Sequence, residues 1–356
     1  MKYSSYRSLA REVDMGILDW FKNRPAQFDP ERVSDEMIRG AVDKAITVTN
    51  PRLIVVPSCQ QRLAPAVETT IEFLRGMVKA LPEARPLSST TWATDPALRA
   101  FFVAPTDIPV VLGRSDNLRT LFDKFPELDE ACLVLGMAFN EQRVFGMALH
   151  GDMVQRDVVQ TSVSFSDHRA HLCGRDEGRL QRVIGAQAYE YLLAQALAEI
   201  GEDRAERQEL EANRALVRAR LRLLRQQGPG LGSMFGQAPS ARSEQAKLEQ
   251  DLLENERQLA EIGSSESALE MELGCLKEVL GNPERYLRME PRQVRVNAMN
   301  VVSEKGSAEL AAEVDFHIAD LTGTPTVRRA FVLARVPRAE LPLPQKINFD
   351  DAARYL

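Results

Sequence analysis

The sequence has little that would build a cross-linked, membrane-spanning or base-stacking protein. Its four cysteines, Cys59, Cys132, Cys173 and Cys275, are scattered without paired spacing among 356 residues. Scattered thiols read as a reducing compartment and not as a disulfide framework. Aromatic residues reach only 6%, too few for a surface on which single strands stack. No run approaches the ~20 apolar residues of a spanning helix, and the first residues lack the apolar core and cleavage site of a signal peptide. Positive charge is not in excess either. Lys and Arg number 45 against 51 Asp and Glu, for a net charge of −6, so nucleic acid ranks last among partners and would need a local basic patch. These absences together predict a cytoplasmic protein, with a peripheral location at the inner face of a membrane left open. Walker, Rossmann and EF-hand patterns and a G-x-S-x-G elbow are missing as well, so no catalytic residue and no cofactor is assigned.

What is present suffices for a core: 44% hydrophobic and 27% charged residues are ordinary for a globular chain. Residues 1–33 read as a loosely attached segment. Within it Ile17, Leu18, Trp20 and Phe21 cluster beside Lys22 and Arg24, as an interfacial anchor or a partner contact would; the plainer reading is a turn that docks on the protein's own core. From Ser34 an amphipathic helix is predicted through Met37, Ile38, Ala41, Val42 and Ala45, ended by Asn50-Pro51. Leu53–Val56 reads as a short buried run. A second helix carries Val67, Ile71, Leu74 and Val78 up to Pro82. Residues 83–114 look irregular apart from a short helix opened by Asp95-Pro96, and another short helix spans Asp116 to Phe125.

The pattern then becomes β-rich: Ala131–Phe139, Val144–Leu149 and Val158–Phe165, with Asn140–Arg143 as a hairpin loop. Strands return at Val294–Val302, Ala311–Ile318 and Val327–Val336. The economical fold is α+β, a mainly antiparallel sheet of about six strands with N-terminal helices and a long helical hairpin inserted between the two strand groups. The expected domains are a body of residues 34–200 plus 268–341, a projecting hairpin of residues 202–267 with its tip at 228–240, and a C-terminal tail of residues 342–356.

The hairpin is the strongest expectation. Positions 248, 252, 255, 259, 262, 266, 269, 273, 276 and 280 repeat at 4-3-4-3 spacing and are apolar except Asn255 and Glu266, the signature of a coiled-coil seam. The first arm gives Leu210, Arg214, Val217, Leu221 and Leu224 on the same spacing. Residues 204–225 carry seven Arg against three Glu, and residues 244–261 carry six acids against two bases, so antiparallel pairing joins opposite charges. Gly201–Asp203 and Gly263–Ser267 suggest where the arms soften. At the tip, Leu231, Met234 and Phe235 are apolar side chains suited to a partner surface, or to capping the ends of the arms.

Other chemistry is thin. Asp167, His168, His171 and Cys173 place metal-ligating side chains within seven residues, but no second ligand group stands at zinc spacing. Cys59 or Ser58 with His150 or His317 could form a nucleophilic pair, without local support. Gly228-x-Gly-x-Gly232 lacks the strand and Lys-Ser/Thr of a phosphate loop. The leading expectation is therefore a non-catalytic interaction or scaffold protein that presents the hairpin to a protein partner, with a homodimer also open. The alternative is an enzyme, hydrolase-like with or without a metal, using Asp152, His150 or Asp167 between the N-terminal helices and the sheet.

Overall fold

The computed structural model describes residues 34–150, 153–226, 238–262, 265–303, 311–323 and 326–342. The N-terminal segment with Ile17, Leu18, Trp20 and Phe21, the tip residues Leu231, Met234 and Phe235, and the tail from residue 343 lie outside them. The elements in chain order are α1 (Asp35–Thr49), α2 (Cys59–Lys79), β1 (Arg85–Pro86), α3 (Pro96–Phe101), α4 (Asp107–Gly113), α5 (Asp116–Lys124), β2 (Glu130–His150), β3 (Met153–Gly174), α6 (Glu177–Gln226), α7 (Ala238–Ile262), α8 (Ser265–Gly281), β4 (Leu287–Val296), β5 (Ala312–Leu321) and β6 (Val327–Pro337). The fold is α+β, with the long helices between the two strand groups. By internal packing the chain divides into two compact units; among the described residues the divisions fall within α2, within α6 and between Pro283 and Glu284.

The first unit holds the six-stranded sheet, in the order β3-β2-β6-β5-β4, with β1 running parallel to the far end of β6. All other pairings are antiparallel. The sheet also meets itself. Residues 301 and 302 bridge to Ser162 of β3 and Val296 of β4, with Val302 N–H donating to Thr161 O at 2.7 Å and Val163 N–H to Asn300 O at 2.9 Å. The edges β3 and β4 are thereby joined through one short segment, which covers exposed strand edges as a barrel does. The inner face buries Leu133, Leu135, Val163, Phe165, Val314 and Phe316 against α3, α4 and α5. The outer face buries Cys132, Phe331 and Leu333 under Leu180 and Ile184 from the first turns of α6. Strand β6 is thus apolar on both faces, which explains its unbroken run Ala330–Ala334. Just beyond it, Arg338 donates to the carbonyls of Leu128, Phe122 and Phe125 at 2.8, 3.1 and 2.7 Å. Its guanidinium lies 4.7 Å over the Phe122 ring, so one side chain ties the sheet to the end of α5.

The second unit is helical: α1, the first part of α2, α6 from Glu190 onward, α7 and α8. Ser34 caps α1, its hydroxyl accepting from Met37 N–H at 3.3 Å, and Val42, Ala45, Ile46, Leu63, Val67, Leu192, Leu273 and Leu276 are buried. Polar ties join the helices: Lys44 to Glu190 at 2.5 Å, Arg62 to Glu270 at 2.7 Å, and Arg204 to Glu272 at 2.7 Å. The arms run antiparallel. Val217, Leu221 and Leu248 share one buried cluster with Leu252 packed on it, and Arg218 meets Glu256 at 2.6 Å.

Several boundaries differ from the sequence reading. Asn140–Arg143 is not a loop: β2 continues through it to His150, and the register His150↔Met153 leaves only Gly151 and Asp152 between the strands. Those four polar residues sit where the ribbon has passed the last β2–β6 pair, Met137↔Ala330, so polarity on both faces marks a solvated ribbon and not a turn. Residues 167–173 belong to β3, which extends well beyond the predicted Val158–Phe165 at both ends. Of Leu53–Val56 only Leu53 and Val56 are buried; Pro51–Val55 is a 3₁₀ turn with Ile54 and Val55 64% and 74% exposed. Helix α4 lies in the stretch read as irregular. Helix α6 does not soften at Gly201. A helical glycine costs only about 1 kcal/mol, and the buried Ile200 and the Arg204–Glu272 pair beside it hold the helix straight through.

Candidate functional site

The residues read as metal ligands are dispersed by two β-bulges. The register passes from Ala138↔Ser166 to Gly136↔Arg169 and from Leu135↔Ala170 to Leu133↔Cys173. Residues 167–168 and then 171–172 therefore each oppose a single residue of β2, and a bulge re-aims its side chains. Asp167 adopts a left-handed backbone at φ 48°, a conformation Asp tolerates through its short polar side chain. It turns outward to Arg169 and Arg329. Hydrogen bonds from these two guanidiniums, Arg169 first, hold its carboxyl down at about 2.

His168 turns inward. Its ring stacks on Phe102 at 4.5 Å and its Nε2 donates to the Phe101 carbonyl at 2.9 Å. Burial lowers its pKa, against the pull of that carbonyl, so it is a neutral packing residue of the inner face at neutral pH. His171 is exposed, and its carbonyl accepts from Asn117 at 2.5 Å. Burial pushes the Cys173 thiol up to about 12, far from the thiolate that binds metal. Among the described residues no three His, Cys, Asp or Glu side chains converge on a metal-sized space. The Cys59 thiol is likewise raised by burial, the wrong direction for a nucleophile.

The Asp167 cluster instead ties β3 to β6 across β2, and it carries a pH signature. A carboxyl depressed from 3.8 to about 2 contributes stability that is present above its unfolded value and lost as the pH falls through its folded one. Between pH 5 and pH 2 the wild type is expected to lose more stability than Asp167→Asn, the difference developing below about pH 4. Equal acid slopes in urea titrations of the two proteins would remove the ion-pair assignment.

A cleft arises from a break in sheet pairing. Strand β5 follows β6 only as far as His317↔Phe331, while β1 takes up the same side of β6 from Ala334. Val332 and Leu333 are left between them, and the gap opens into a cleft of about 400 Å³. Glu83, Arg85, Arg292, Asp315 and His317 line it. Much of that charge is already paired. Arg85 holds both oxygens of Asp95 at 2.9 Å, Arg292 meets Glu141 at 2.7 Å, and Gln293 donates to Asp315 at 2.8 Å. His317 leans on the Phe331 ring at 5.6 Å and burial lowers its pKa. It presents a neutral imidazole to the cleft, able to accept a proton or to hold a polar ligand. No local pattern signals this grouping, because its members come from three separated segments that only the topology brings together.

On the arms, the apolar side chains divide into two sets. Val217, Leu221 and Leu248 are buried in the seam, whereas Leu216 and Leu253, each adjacent in sequence to a seam residue, are 67% and 68% exposed. No helix among the described residues is long and apolar enough to cross a membrane. In comparison with known proteins, no family model matches the chain, and no curated protein or solved structure matches it.

Proposed function

We propose that the chain is a non-catalytic interaction protein whose paired arms, read as a coiled coil, present their outer faces and tip to a protein partner. The observation that carries this reading is the exposure of Leu216 and Leu253 on arms whose seam is already filled by other side chains. The pairing of the arms does not call on these two leucines, and large apolar side chains kept at the surface suit a recognition contact. The 50 residues of α6, about 75 Å of helix, exceed what covering a six-stranded sheet requires. The apolar residues Leu231, Met234 and Phe235, which lie outside the described residues, are assigned to the same recognition role from the sequence.

Photo-crosslinking from position 216 or 253 in cells tests it. The expected product is one discrete adduct with another protein, lost when Leu231, Met234 and Phe235 are changed to Ser or when the other exposed leucine is changed to Glu. Crosslinks only within the chain, or a diffuse smear unaffected by those changes, would sink the proposal.

A second reading, a hydrolase-like enzyme, is favoured by the neutral His317 in the cleft. Turnover of an ester or phosphoester substrate that disappears in His317→Gln would support it over the scaffold.

A further inference from the structure

The β2–β3 ribbon has one edge that the chain guards and one that it leaves open. On β3, residues 300–302 cover the edge at residues 161–163. Asp157 and Asp167, in left-handed backbone at φ 59° and 48°, kink the same strand at two bulges. Kinks and covering segments are the devices that keep a strand from pairing with another chain. On β2 neither device is present over residues 138–146. This stretch runs in unbroken register with residues 166 to 158, and no proline interrupts it. Beyond Met137↔Ala330 its other side has no strand partner among the described residues. Asn140, Glu141, Gln142, Arg143 and Phe145 are all exposed.

What the open stretch carries is complementary to itself. Phe139, Glu141, Arg143 and Phe145 are alternate residues and so stand on one face of the ribbon. A second copy, turned about a two-fold axis at Gln142 and laid antiparallel on β2, sets its Arg143 opposite Glu141 and its Glu141 opposite Arg143. Each Phe145 then falls opposite a Phe139. Directly opposed residues of an antiparallel pair share a face, where opposite charges and aromatic pairs attract. The aromatic pairing continues a cluster already in place. Phe139 is partly buried, with Phe165 at 5.4 Å and Phe316 at 5.0 Å, whereas Phe145 is 77% exposed opposite Val159 at 59%. Arg292 meets Glu141 through Oε1 at 2.7 Å with both side chains still partly exposed, and Oε2 is the oxygen that Arg143 of the second copy would use. We propose that residues 138–146 of β2 pair antiparallel with the same residues of a second copy, making the chain a two-fold dimer through a four-stranded ribbon. Such a contact uses one patch on both chains and is closed: the guarded β3 edges end up outside. It is separate from the recognition contact read on the arms.

Sedimentation equilibrium of the full chain and its charge variants tests the pairing. The wild type is expected to dimerise at micromolar concentration. Glu141→Arg sets arginine against arginine at both places, and Arg143→Glu sets glutamate against glutamate. Each change alone should weaken the dimer by about tenfold or more. Mixed in equal amounts, the two variants should form a one-to-one heterodimer, because every charge again meets its opposite; a folding defect would not be repaired by mixing. The variant carrying both changes should dimerise on its own. Gln142→Cys places a thiol on the axis, where opposed Cα atoms stand about 4.5–5.5 Å apart, within reach of a disulfide. Mild oxidation should link two chains through it and not through Val144→Cys, whose counterpart is Asn140. A monomeric wild type, a dimer indifferent to both charge changes, variants that stay monomeric when mixed, or equal crosslinking from positions 142 and 144 would overturn the proposal.

Discussion

Cutting Phe316 back to alanine is expected to cost about 3–5 kcal/mol, the range for deleting a buried aromatic ring. Its ring is 2% exposed and stands 5.0 Å from Phe139 and 5.2 Å from Phe165, which in turn meets Phe101 at 4.8 Å. One side chain thus connects β5 to β2 and β3, and through Phe165 to α3, and its loss leaves a hole bounded by two other rings that are held by their own packing. At about 2–4 °C per kcal/mol for a unit of this size, the melting midpoint of the sheet unit should fall by roughly 10 °C. Phe316→Leu, which keeps most of the volume, should lose less than half of that. A Phe316→Ala protein as stable as wild type in thermal and urea unfolding would mean that the aromatic cluster does not organise the core.

The opposite sign is expected at Asn255. This amide sits in the seam of the arms, 3% exposed, and among the described residues neither its nitrogen nor its oxygen has a hydrogen-bond partner. A buried amide left unsatisfied costs about 1–3 kcal/mol, so Asn255→Leu, which extends the apolar line of Leu248 and Leu252, should stabilise the arm pairing by about that amount. Hydrogen exchange along residues 245–259 reads the effect directly, as slower opening in the variant. Faster exchange would show that the amide is satisfied by a group outside this chain. Single polar residues in such seams fix register at a cost in stability, and the leucine variant should also show whether the arms keep the 218–256 pairing without it.

How much of this was legible in the sequence depends on the range of the interactions involved. The antiparallel arms could be read from heptad spacing and opposite charge, because both are local patterns carried by successive helical turns. The α+β class followed from the switch between period 3.6 and period two. The long ribbon of β2 and β3 was misread because Asn140–Arg143 has the composition of a turn, and a strand with solvent on both faces loses the alternation that identifies it. His168 and Asp167 were grouped because they are neighbours in sequence. The bulge that sends one inward and the other outward is a property of pairing with β2. The cleft at His317 was invisible for the same reason: it exists only where two strands share one side of β6 without meeting.

The position of β6 has a further consequence for how the protein is made. It is the central strand, paired with β2 on one side and with β5 and β1 on the other, yet it is the last of the six to leave the ribosome. Chains emerge and begin to fold from the N-terminus. The β2–β3 ribbon must therefore wait through the synthesis of all three long helices, and the β4–β5 hairpin through a shorter interval, before the strand that joins them exists. During that wait β2 and β5 each hold an open edge next to buried-type side chains such as Leu133, Leu135 and Phe316, the combination most prone to pair with the wrong chain. A nascent chain stalled before Val327 is thus two half-sheets with no centre. The helical unit, whose segments are complete by Gly281, can close on its own while the sheet is still waiting.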